Sequence, residues 1–506
     1  MSSKETDRSY DADESDSGSP PPAYQHLYPE TTIVVTQAGG VQQESIINER
    51  SPLLSAETQV YKRRWYVLIS YSLLAMTQGG LWNTWGPIAA TSEDAFGWTD
   101  ADIALLSNWG PIAYILAAFI LSWVVDVKGL RWACIITGFL VASGAAVRCI
   151  TDEPPYVTWA VHTGQLLNGL AGPVAMGVPP VLSNTWFPVE ERTTATALST
   201  VLNILGVGIS FVLGPYMVPD INSNKNSTGG NGSSEVSLSL LSELDNSTAR
   251  IANERKQIMR LMYVECGWSV FVFVLLLIYF PAKPPKPPTV SASIDRVDFK
   301  SGTKLLARNT RFWLICLTYG LSLGVFNCWQ SVLDVILKPH NISEKEAGWI
   351  GFYGTLAGCV ATVILARFAD AFSRHMKMLL VFLYVGSSLS FVWFSLIIQG
   401  TLPNSTVSLY IAIILATLLL NSATPLYFEM ACEVSYPVAE GITNFALTLV
   451  NNIGGLIFLG VQMIPSIGTG WENWAALGAI VSCVPVLLMF KERYNRLEID
   501  EVKKEA

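Results

Sequence analysis

Twelve apolar runs, each near the roughly 20 residues that a helix needs to cross a bilayer, constrain this chain more than any other feature. They lie near 65–89, 102–125, 132–150, 157–182, 194–217, 260–281, 311–337, 347–369, 377–399, 407–432, 440–465 and 471–490. Hydrophobic residues make up 51% of the 506 and charged ones only 14%. A soluble domain carries about 25% charged residues, so one helical membrane body is expected. Residues 1–59 are the exception. They carry Lys4, Arg8 and Arg50 against ten acidic residues and hold most of the formal net charge of −8. A segment so polar cannot bury a core and is expected to be a disordered tail. Its acidic start and lack of an apolar stretch are unlike a signal peptide. The remainder offers no basic face to a nucleic acid. The eight cysteines have no CxxC spacing, so neither a disulfide framework nor a metal site is expected. No cofactor motif and no nucleophile–base constellation points to an enzyme.

Charge sets the expected orientation. Lys62, Arg63 and Arg64 abut the first run, and alternate loops carry Lys128, Arg131, Arg192, Lys283, Lys286, Lys300, Lys304, Arg308, Arg374 and Lys377. The intervening loops are acidic early in the chain, with Glu93, Asp94, Asp100, Asp152 and Glu153. The excess of Lys and Arg on one side predicts that both termini are cytosolic. The charged stretch 235–260 runs against this pattern, but long loops translocate largely regardless of charge.

The first six runs (60–281) and the last six (311–490) are separated by a Pro- and Lys-bearing linker at 282–310, with a short tail at 491–506. The halves repeat. Gly80, Trp82, Asn83 and Trp85 align with Gly324, Phe326, Asn327 and Trp329; Asp126 aligns with Asp370; Asn203 and Gly206 align with Asn452 and Gly455. Collinear matches in runs 1/7, 2/8 and 5/11 predict an all-α membrane protein of the major facilitator fold, with 12 transmembrane helices in two pseudo-symmetric six-helix halves.

In that fold runs 1, 4, 7 and 10 line a central cavity. Their amides are Gln78, Asn83, Gln165, Asn168, Asn327, Gln330 and Asn421. Lipid-facing amides are costly, so these should point inward. They serve there either as a substrate-binding set or as bonds between helices. Nearby Trp82, Trp85, Phe326, Trp329, Tyr427 and Phe428 suit stacking on a flat or weakly cationic ring. Glu429 lies deep in run 10, where a carboxylate is costly unless paired or protonated. It is expected either to carry a coupled proton or to sit wet at the cytosolic rim. His162 is the alternative proton site. Arg148 and Glu265 are expected to be interfacial or ion-paired. Asp126, Gly129 and Arg131 fill the turn between runs 2 and 3 and resemble the facilitator gating signature, in which the Asp pairs with a cation on a neighbouring helix. Asp370, Glu191, Arg192 and Glu440 are expected to belong to the same gating network.

The tail holds Glu49, Leu53 and Leu54 in an acidic dileucine pattern that clathrin adaptors read. Pro21-Pro22-Ala23-Tyr24 fits the ligand of WW-domain ligases. Sequons at Asn226, Asn231 and Asn246 cluster in a long loop expected at 218–259, and Asn341 and Asn404 start two more.

Trp82-Asn83-Thr84-Trp85-Gly86-Pro87-Ile88, Leu167-Asn168-Gly169-Leu170-Ala171-Gly172-Pro173, Ala347-Gly348-Trp349-Ile350-Gly351-Phe352 and Tyr436-Pro437-Val438, continuing through Glu440-Gly441-Ile442-Thr443, resemble solute carrier family 49 of the major facilitator superfamily. The resemblance implies an electrogenic lysosomal transporter and suggests proton-coupled export of pyridoxine (vitamin B6). Sister members carry choline or haem, and a non-transporting receptor on the same fold is the rival reading.

Overall fold

The protein is described by a computed structural model covering residues 58–498, apart from 219–235, 294–295, 332, 338–343, 372–374, 404, 463 and 465–469. All regular structure among the described residues is helical. The spans are Arg64–Trp82, Asp100–Trp123, Leu130–Arg148, Tyr156–Gly177 with Pro179–Trp186, Val189–Met217, Val236–Ile278, Thr310–Ser331, Glu344–Ala371, Met376–Ile398, Thr406–Asn421 with Thr424–Ser435, Glu440–Gln462 and Glu472–Met489. They are numbered 1 to 12 below. Among the described residues ten helical stretches are long and apolar enough to cross a membrane, and the two pieces of span 4, bent by 42°, make an eleventh. This is a multi-pass membrane protein.

Span 1 is the twelfth helix and falls short of that apolarity. It buries Ser70, Ser72, Thr77, Gln78 and Gly79 among its 19 residues. A helix sheathed by other helices needs no apolar surface toward lipid. Span 6 also differs from expectation. The helix begins at Val236, where a loop to 259 was expected. Arg250 pairs with Glu254 one turn on at 3.4 Å and with Asp94 at 3.4 Å, and Arg255 donates to the Ala95 carbonyl at 2.8 Å. Such pairs let a charged segment continue as helix outside the apolar slab.

Buried apolar side chains form separate cores. One is drawn from residues 306–490, and another runs from Val67 to Phe280 and is joined by Phe445. The repeated glycines mark equivalent crossings in the two halves. A Cβ on Gly80 would lie 3.3 Å from the Gly206 carbonyl oxygen, and one on Gly324 would lie 3.1 Å from the Gly455 nitrogen. Span 1 crosses span 5, and span 7 crosses span 11, at points where only glycine lets the backbones approach.

Candidate functional site

Span 1 stops being helical at Trp82, and a 3-10 turn at Gly86–Ile88 follows. A helix end leaves carbonyls without intrahelical donors. Here neighbouring spans supply them. Gln165 Nε2 donates to the Trp82 carbonyl at 3.2 Å, and Arg148 Nη2 donates to the Leu81 carbonyl at 3.3 Å and to Gln165 Oε1 at 2.6 Å. One turn deeper, Asn168 Nδ2 donates to the Gln78 carbonyl at 3.1 Å, and Asn203 Nδ2 donates to the Ala75 carbonyl at 2.7 Å. Asn83 Nδ2 reaches Ser210 Oγ at 2.9 Å. The four amides expected in the first half thus come together as a seam joining spans 1, 4 and 5. Polar capacity remains at Asn168 Oδ1 and at Asn421 Nδ2, both buried without a hydrogen-bond partner among the described residues. In the second half Gln330 Nε2 donates to Thr355 Oγ1 at 3.3 Å, and Asn327 is exposed. His162 Nδ1 accepts from Trp109 Nε1 at 3.0 Å.

The aromatics expected to stack on a substrate are instead core. Trp85, Phe326, Trp329, Tyr427 and Phe428 are all buried. They pack on each other and on Trp98, Tyr319 and Phe391. Trp82 alone of the six is partly exposed, with its Nε1 on the Ser107 carbonyl at 3.1 Å.

The second concentration of polar groups lies at the end of the bundle that carries the Asp126 turn. Glu429 was expected to be either a proton carrier or a wet carboxylate. It is neither wet nor alone: it is 2% exposed and bonds the guanidinium of Arg496. Arg496, itself 1% exposed, also pairs with Glu433 at 3.0 Å and faces Glu440 at 3.8 Å. Burial disfavours its charge, but Glu429 and Glu433 outweigh that and hold it well above the ordinary arginine range. Backbone N–H groups of Arg496 and Leu497 add bonds to Glu433 at 2.9 and 3.1 Å. Glu440 takes Arg296 of the linker at 2.6 Å. Burial opposes the Arg296 charge too, and Glu440 more than offsets it, raising it above the ordinary value. Arg296 Nη1 donates to the Ser291 carbonyl at 2.8 Å, and Arg192 Nη2 donates to Thr289 Oγ1 at 3.2 Å and Ser291 Oγ at 3.4 Å. Thr196 Oγ1 of span 5 closes the ring on Glu429 at 3.5 Å. The segment after span 12 and the linker thus join spans 5, 10 and 11. Sequence reasoning missed Arg496, which reads there as one more tail cation.

The other gating residues take partners that the sequence did not suggest. Glu191 pairs with Arg64 at the start of span 1 at 2.7 Å. Arg131 Nη1 caps the Phe280 carbonyl at 3.2 Å. Asp126 has no ion pair among the described residues. Its carboxylate presses on Gly441 in the first turn of span 11, too close for a Cβ there, where the helix dipole favours an anion. Gly129, at φ +86°, makes the turn possible. Asp370 lies in span 8, but its side chain is outside the described residues, as are Asn226, Asn231, Asn341, Asn404, Glu49, Leu53, Leu54, Pro21–Tyr24 and the Asn246 side chain.

Comparisons with known proteins agree with this architecture. Residues 67–459 match the Major Facilitator Superfamily model. The fold is similar to the fucose:proton symporter FucP of E. coli, with TM-score 0.62 and 14% identity, covering 86% of this chain and all of that one. It is also similar to the proton:xylose symporter XylE, with TM-score 0.65 and 11% identity, covering 86% and 98%. The chain is 28% identical over 419 residues to the choline/ethanolamine transporter FLVCR1 of Mus musculus, covering 80% of this chain and 70% of that one. It is 37% identical over 464 residues to the solute carrier family 49 member 4 homolog of Xenopus laevis, covering 89% and 97%. The chain therefore belongs to solute carrier family 49 of the major facilitator superfamily.

Proposed function

We propose that this transporter exports a small organic metabolite, pyridoxine first among candidates, from the lysosome, with uptake of protons from the acidic lumen as the driving force. Alternating access would move residues 60–281 against 311–490, with the Asp126 end facing the cytosol. The observation that carries the reading is the ring of bonds through Arg192, Ser291, Arg296, Glu440, Arg496, Glu429 and Thr196. It ties the halves at one end through side chains that can part and re-form, as a gate must. Basic loop residues on that side support its cytosolic orientation, and the tail motif at Glu49, Leu53 and Leu54 supports a lysosomal address. Co-transport of a neutral vitamin with a proton moves net charge and so is electrogenic. Glu429, bound by Arg496, serves in this reading as a gate residue, which leaves His162 as the better of the two proton sites read from the sequence. Choline is the second reading, favoured by the relatives named as choline/ethanolamine transporters.

The test is uptake into proteoliposomes holding the purified full-length protein, with labelled pyridoxine and labelled choline supplied in parallel under an imposed pH gradient. Saturable pyridoxine accumulation that collapses with the gradient is expected. Accumulation of choline alone would transfer the assignment. Binding of either without flux would make the protein a receptor.

A further inference from the structure

We propose that Glu265 of span 6 is a proton-binding site, with Arg148 of span 3 as the counter-ion that relays its charge state to span 1. The inference rests on the proton-coupled reading above and names the group that takes the proton. Glu265 and Arg148 sit at the end of the bundle opposite Asp126, the side proposed to face the lumen. The Arg148 side chain is fully buried and that of Glu265 is 12% exposed, and Nη1 stands 3.6 Å from Oε2. Glu265 Oε1 accepts from Thr84 Oγ1 at 2.7 Å, whereas among the described residues Oε2 has no hydrogen bond, nor do Arg148 Nη1 and Nε. A buried guanidinium and a mostly buried carboxylate are thus held near each other with unused capacity turned between them, an arrangement that costs more than a closed ion pair.

Few other groups compete for this carboxylate. Glu265 lines a cavity of about 240 Å³ between spans 1, 5 and 6, and among the described residues no other that lines it is ionisable. From the break just past span 1 it meets the Thr84 hydroxyl; from span 5 the cavity wall brings Ser210, Leu213 and Ile209; from the end of span 3 come Arg148 and, just past it, the Cys149 thiol, with Cys266 beside it on its own helix. When ionised, Glu265 and Arg148 sum to zero. A proton added at Oε2 leaves the pair at +1, and Oε1 keeps Thr84. The Arg148 charge then rests on the Leu81 carbonyl and Gln165 Oε1. Those two groups belong to the break in span 1 and to span 4, next to the amide seam. Loading a proton at the periphery would thereby tighten span 1 on span 4, which is the form a coupling step takes when one element with two arrangements is biased by a remote site.

The experiment is a pH jump applied to substrate-free proteoliposomes of the full-length protein on a solid-supported membrane, reading the transient charge displacement. Wild type is expected to give a transient on acidification. Glu265→Gln, which keeps the shape and the Thr84 bond but cannot ionise, is expected to lose it, and Glu265→Asp to keep it with a shifted midpoint. A full transient in Glu265→Gln, or its loss in His162→Ala instead, overturns the proposal while leaving proton coupling standing. Absence of any transient in wild type overturns proton coupling and the proposal together. Should Glu265→Gln fail to elute as a folded species, an unshifted midpoint in Glu265→Asp would overturn the assignment.

Discussion

Replacing Arg496 by leucine is expected to unlatch the Asp126 end. The guanidinium is 1% exposed and is shared among Glu429, Glu433 and Glu440. The three carboxylates do not lose equally. Glu440 keeps Arg296 at 2.6 Å, and Glu433 keeps two backbone N–H donors that survive the substitution. Glu429 is left with the Thr196 hydroxyl at 3.5 Å. The loss therefore amounts to one uncompensated buried charge, about 3–5 kcal/mol. At about 1.4 kcal/mol per decade, that shifts the balance between latched and open arrangements by roughly two to four orders of magnitude. Cys432 is a built-in reporter, since it is 3% exposed and its sulfur accepts from Asn444 Nδ2 at 3.1 Å beside the cluster. In a chain keeping only that cysteine, maleimide labelling should be slow for wild type and much faster for Arg496→Leu. Adding Glu429→Gln removes the orphaned charge, so the double variant should recover most of the protection. Wild-type labelling rates in Arg496→Leu, or a double variant no slower than the single, would refute the latch.

Leu53→Ala combined with Leu54→Ala should move the protein from lysosomes to the plasma membrane, because an adaptor pocket needs both side chains; unchanged lysosomal staining would point to another signal. Replacing Asn226, Asn231 and Asn246 with glutamine should remove most endoglycosidase-sensitive mass on gels, and no change would count against a lumenal 218–259 segment. Gly206→Ala should lower the Tm of the purified protein by an amount equivalent to about 1–3 kcal/mol, since its Cβ would press on the Met76 carbonyl at the span 1–span 5 crossing. An unchanged Tm would mean that the two spans can separate at little cost.

The helical class, eleven of the twelve expected apolar spans among the described residues and the two-half repeat were legible in the chain because each is a property of local or linear pattern. Hydropathy accumulates along a segment, and a duplicated half leaves matched residues at nearly constant offsets. That is why Gly80 and Gly206 in one half, and Gly324 and Gly455 in the other, turn up at equivalent crossings. The partners of the charged groups were not legible. Hydropathy fixes how deep a residue lies along a helix but not which neighbour it faces, and a charge pair depends on the neighbour. Arg496 reads as a solvated tail cation until the segment after span 12 folds back over span 10, bringing together Arg496 and Glu429, 67 residues apart. Asp126 carries a recognisable turn motif, yet only the packing of span 11 decided that it meets Gly441 and not a cation. The buried tryptophans and Tyr427 look like binding residues on paper because aromatic chemistry serves cores and ligands alike. Only the tertiary contacts decided that these rings fill the core, since stacking on a neighbouring ring and stacking on a substrate draw on the same apolar face.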